Sequence, residues 1–94
     1  MNDGKLIRLN IPRLTEERRR DIVKQVHKRM EEARVEIRGI RRDATDHLKK
    51  EERDGLLGTD ESRREQDAVQ KLTDRFVGEV DKVGAHKEQE VLEV

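Results

Sequence analysis

The sequence contains no cysteine, no tryptophan and no tyrosine, one phenylalanine (Phe76) and one proline (Pro12). Without cysteine there are no disulfide staples and no thiolate metal ligands, which fits a reducing compartment. A single aromatic ring leaves no platform for stacking bases, so any nucleic-acid contact would rest on the sugar-phosphate backbone. No apolar run approaches the ~20 residues a membrane-spanning helix needs, and residues 1–4 lack the apolar core of a secretory signal. The expected chain is soluble, cytoplasmic and free of membrane. Glycine-rich phosphate loops, GxSxG elbows and HExxH helices are also missing. Adjacent carboxylates such as Glu31-Glu32 and Glu51-Glu52 project about 100° apart on a helix and do not converge on a substrate. No enzyme and no cofactor is expected.

What is present is charge: 47% of the 94 residues are Asp, Glu, Lys or Arg, against 31% apolar. Such numbers border on disorder. The apolar residues nevertheless keep helical spacing, which places the chain with long-helix and coiled-coil proteins. The 22 basic and 22 acidic residues cancel, so net charge names no partner. Their distribution says more: the part through Asp54 carries 16 basic and 12 acidic residues, the remainder 6 and 10.

Along the chain, Lys5 to Pro12 alternates Ile7, Leu9 and Ile11 with Arg8 and Asn10, the pattern of a half-buried strand that Pro12 ends. Nothing else reads as β, so this strand lacks a partner. Thr15 followed by Glu16 and Glu17 marks a helix start. From there Val23, Val26, Met30, Ala33, Ile37, Ile40 and Ala44 step by three and four like a heptad seam, with His47 next and Gly39 interrupting. At about 100° per residue, Val26 through Leu48 forms an apolar stripe expected to be buried. Gly55-Leu56-Leu57-Gly58-Thr59-Asp60-Glu61 closes this helix and opens another, with Thr59 as a capping hydroxyl. The second helix carries Val69, Leu72, Phe76, Val80 and Val83, expected as core. The fold class is all-α: a long antiparallel helical hairpin with helices at about 15–53 and 59–93, preceded by a short extended segment. A hairpin covers only one side of each stripe, so a third helix, a second copy or a partner is needed to enclose it.

Beside the apolar stripe of the first helix, Arg20, Lys24, His27, Arg34, Arg38, Arg41, Thr45 and Lys49 fall on a second stripe, and the candidate contacts are Arg34, Arg38, Arg41, Thr45 and Lys49 of that stripe together with Arg42. Planar guanidinium forks can bond two phosphate oxygens at once, which points to RNA gripped by shape and backbone, without sequence readout. The bland alternative is a solvated face paired with acids one turn away, for which Glu31 and Asp46 are available. His27-Glu31 and Asp43-His47 sit at metal-ligand spacing but supply two ligands each, so no metal is expected. The competing function is a structural module, a hairpin that self-associates as a coiled-coil-like scaffold.

The segments IPRLTEERRRDIV, ARVEIRGIRRDATD and VQKLTD resemble the ribosome recycling factor family, in order and without gaps to Val94. The resemblance implies an L-shaped protein in which a three-helix bundle bears a small β domain inserted after its first long helix. By that likeness, residues 1–12 are the closing, extended remnant of the β domain and residues 13–94 the last two helices of the bundle domain. The first helix and most of the β domain have no counterpart here. The resemblance further implies binding to ribosomal RNA of the large subunit and recycling of post-termination ribosomes with elongation factor G. The family's RRD motif falls on Arg41, Arg42 and Asp43, pointing to Arg38, Arg41 and Arg42, with Arg41 foremost. The family's complete protein would be a monomer, whereas this shortened form would be prone to self-association. Arg13 stands where a second proline is common, Gly39 and Thr45 where asparagine is usual, and Gly58 near the usual capping serine.

Overall fold

The computed structural model describes residues 15–93, so the expected strand at residues 5–12 and the apolar Val94 lie outside the described residues. Two helices account for the architecture: α1, Glu16–Arg53, and α2, Thr59–Glu93. They lie antiparallel in a rod measuring 79 × 21 × 15 Å. The radius of gyration of 22.5 Å far exceeds the ~12 Å of a compact chain of this size, because among the described residues no second layer folds over the hairpin. No strand occurs among the described residues.

The ends of α1 follow from local chemistry. Thr15 adopts an extended conformation and its Oγ1 accepts from the Arg18 amide at 3.0 Å, while Glu16 and Glu17 face the positive end of the helix dipole. At the other end, Gly55 takes the left-handed conformation with φ of 77°. The Leu56 amide then donates to the Glu51 carbonyl at 2.9 Å and the Gly55 amide to Glu52 at 3.1 Å. Those two bonds define a Schellman turn, which reverses the chain within five residues. Helix α2 starts directly after Gly58, whose carbonyl accepts from the Ser62 amide at 2.8 Å. Thr59 is therefore the first helical residue and not the capping residue expected of it. Gly55→Ala is expected to lower stability by about 1–2 kcal/mol, read as an earlier thermal loss of helicity by circular dichroism, since a Cβ there penalises the left-handed backbone.

The apolar stripes are not buried. Among the described residues no hydrophobic side chain is fully enclosed, and Ile40, Leu72, Phe76 and Val83 are 64%, 51%, 50% and 58% exposed. Val26, Met30, Ala33, Ile37, Ala44 and Leu48 are half-buried. This corrects the expectation of a buried stripe and of Phe76 as core. His47, expected in the seam, is also exposed and pairs with Glu51 at 2.6 Å.

The reason lies in which residues of α2 face α1. The buried positions among the described residues are Ser62, Thr73 and Gly84, recurring every eleven residues. An eleven-residue repeat gives about 3.67 residues per turn, so this contact line follows an almost straight helix and departs from the heptad expected of α1. The same spacing appears on α1 at the half-buried Met30, Arg41 and Glu52. Met30 packs against Gly84, where an added Cβ would meet the Met30 Sδ, Cε and Cγ atoms. Continued in antiparallel register, Arg41 comes opposite Thr73 and Glu52 opposite Ser62, each long side chain over a small residue. Small residues on the contact line let the helices approach and push Leu72, Phe76 and Val83 to its flank. There they join Ile22, Ile37 and Ile40 in an open apolar groove along one face of the hairpin.

Candidate nucleic-acid interface

The other side of the contact line is polar. There α1 presents His27 and Arg34, with Arg41 of the contact line seven residues further on, and each reaches across to α2. His27 Nε2 lies 3.2 Å from Glu88 Oε2. Arg34 donates to Asp81 Oδ1 through Nε at 2.9 Å and Nη2 at 2.6 Å, and its Nη1 lies 3.6 Å from Glu31. Arg41 Nη1 donates to Gln70 Oε1 at 3.3 Å, and Gln70 Nε2 in turn donates to Asp74 at 2.9 Å. The hydrogen bond to Asp81 raises the Arg34 pKa above the ordinary guanidinium value; partial burial opposes this, and the charges of Asp81 and Glu31 add to it.

The six candidate residues therefore do not share one environment. Arg34, with a side chain 24% exposed, is engaged by Asp81 and Glu31. Arg41 is half-buried and bonded only to a neutral amide, so no acid neutralises it. Arg38, Arg42 and Lys49 are exposed, and none of them makes an ion pair or side-chain hydrogen bond among the described residues. On the helical wheel these three point away from the apolar groove. Thr45 is half-buried beside them. Arg41, Arg42, Thr45 and Lys49 line one shallow cleft of about 420 Å³, with Gln66, Asp67 and Gln70 of α2 forming the opposite wall and Asp46 at the edge. Arg34 and Arg38 lie outside it.

Chemically the arrangement is a strip of free cationic donors along the outer edge of α1, bounded on the α2 side by Asp67, Asp74 and Asp81. A strip of this kind can bond phosphate oxygens of a backbone running along α1, and the acids would repel one crossing α2. The α2 partners were not identified from the sequence. Reflecting Arg34 across the Gly55–Gly58 turn lands near Asp81, and reflecting His27 lands near Glu88, so the pairing was there to be read once the turn was placed. Among the described residues no cluster of three or more His, Asp or Glu is placed to hold a metal ion, and no helix is long and apolar enough to cross a membrane.

Comparison with known proteins gives the lineage. The family model described as ribosome recycling factor matches residues 1–92. The ribosome-recycling factor of Symbiobacterium thermophilum is 59% identical over 93 residues, covering 99% of this chain and 50% of that protein. Those of Prochlorococcus marinus and Brevibacillus brevis are each 55% identical over 93 residues, covering 99% of this chain and 51% and 50% of their own lengths. The chain thus spans about half the length of the curated relatives it matches. With the family pattern matched across nearly every residue of a charged helical hairpin, the chain belongs to the ribosome recycling factor family.

Proposed function

We propose that the hairpin is a segment of a translation factor that binds ribosomal RNA of the large subunit and, with elongation factor G, takes part in recycling post-termination ribosomes in the cytoplasm. The observation that carries this reading is the strip of Arg38, Arg42 and Lys49, which make no ion pair among the described residues, on a chain whose relatives are named ribosome-recycling factors. With one aromatic residue in the chain, affinity comes from phosphate contacts and recognition from the shape of folded RNA. Thr45 supplies a hydroxyl at the rim of the cleft, and Arg41 can exchange its single bond to Gln70 for a phosphate oxygen. The role is one of binding and positioning, without a catalytic group.

Co-sedimentation of the chain with large ribosomal subunits over a salt series tests the proposal. A complex whose log affinity falls linearly with the logarithm of salt concentration is expected. Absence of pelleting at low salt, or an affinity indifferent to salt, would overturn it. Arg41→Ala is expected to weaken the complex several-fold and reduce the salt slope by about one, with helicity unchanged.

A second reading is favoured by the groove: self-association, in which two hairpins bury Leu72, Phe76, Ile40 and Val83 against each other as a four-helix scaffold. Equilibrium sedimentation of the chain alone separates the two. A tight dimer that ignores ribosomal subunits supports the scaffold, and a salt-sensitive ribosomal complex supports the factor.

A further inference from the structure

Resting on the ribosomal-RNA reading above, we propose that Asp81 is a built-in competitor for the nucleic acid: it occupies Arg34 from the neighbouring helix and withholds that guanidinium from the binding strip. Arg34 stands on the polar side of α1, one turn before Arg38 and two before Arg42, with the spacing of a further phosphate contact. Its fork is aimed across the hairpin, where Nε and Nη2 both donate to one carboxylate oxygen at 2.9 and 2.6 Å. Nε and Nη2 form the edge that arginine offers to a phosphate in its two-pronged grip, so the Asp81 oxygen occupies the donors a phosphate would use. Asp81 therefore imitates the ligand. The pair is only half-shielded, with side-chain exposures of 24% for Arg34 and 53% for Asp81, so an incoming phosphate can reach the guanidinium from solvent. Glu31, 3.6 Å from Nη1, adds a weaker hold from the same helix.

The consequence is a strip with a silent member. While Asp81 is bound, a polyanion meets Arg38, Arg42 and Lys49 on one side and a carboxylate row on the other. Exchanging Asp81 for a phosphate would release the α2 carboxylate next to the bound backbone, where it repels. Removal of the Asp81 charge should thus strengthen polyanion binding through Arg34 specifically, by more than one unit of net charge alone does.

The test compares Asp81→Asn with Glu79→Gln, which makes the same charge change on the groove side of α2. Two probes are used, heparin-agarose retention and co-sedimentation with purified large ribosomal subunits, with circular dichroism confirming helicity. Expected for D81N is elution from heparin at clearly higher salt than E79Q, three- to tenfold tighter subunit binding, and a salt slope larger by about one. Arg34→Gln is expected to remove this gain in the D81N background while changing the parent chain less than twofold, a double-mutant coupling between the two positions. Equal behaviour of D81N and E79Q, or an equal loss from Arg34→Gln in both backgrounds, would overturn the inference. A gain on heparin with no subunit binding by any variant supports the competitor and overturns the ribosomal reading.

Discussion

Replacing Arg38 and Arg42 together by alanine is expected to weaken binding to large ribosomal subunits by on the order of a hundredfold or more at low salt, because charge-assisted hydrogen bonds contribute about 1.5–3 kcal/mol each. The salt slope should fall by about two, one for each phosphate no longer neutralised. Thermal unfolding should be nearly unchanged, since neither side chain has a partner among the described residues and alanine is a strong helix former. The contrast with Arg34 makes the experiment informative. Arg34→Ala removes a cross-helix pair, so its effect should appear in hairpin stability before it appears in binding. If the double variant binds as the parent does, the outer strip of α1 is a solvated face and nothing more.

The second large effect concerns the closest approach of the helices. Gly84→Leu should destabilise the hairpin by about 1–3 kcal/mol, because the new side chain enters the space filled by Met30. The gain in helix propensity from removing a glycine, about 1 kcal/mol, offsets part of that cost. Met30→Ala alone should also destabilise, by loss of a half-buried side chain over a glycine that cannot fill the space. Combining Met30→Ala with Gly84→Leu exchanges large for small across the same contact and should return the melting midpoint close to that of the parent. Urea or thermal denaturation of the four proteins gives the coupling directly. Strict additivity of the two losses would mean that Met30 swings freely into the open groove and that the helices are not in tight register there.

The first experiment probes the polar flank of the hairpin and the second the contact line itself. The part of the chain through Asp54 carries 16 basic and 12 acidic residues, the remainder 6 and 10. His27 with Glu88 and Arg34 with Asp81 show that part of the asymmetry holds the hairpin together. Exposed pairs of this kind are each worth little, so they fix register more than they add stability. What remains for a partner is the outer strip of Arg38, Arg42 and Lys49, together with Arg41.

Local chemistry alone determined the two helices and their reversal. Thr15, the first-turn acids and Gly55 act over a few residues, so their effect does not depend on what lies across the hairpin. Helical spacing likewise put Arg34, Arg38, Arg41, Thr45 and Lys49 on one stripe. The family, too, was legible in three linear motifs. The tertiary arrangement decided which side of each stripe meets the other helix. Apolar spacing pointed to Leu72 and Phe76, but Ser62, Thr73 and Gly84 permit a closer approach and take the contact line, leaving the larger side chains in an open groove. It also decided which guanidinium groups are free, because a charge on α1 is neutralised or left open by residues some fifty positions away that only the turn brings near.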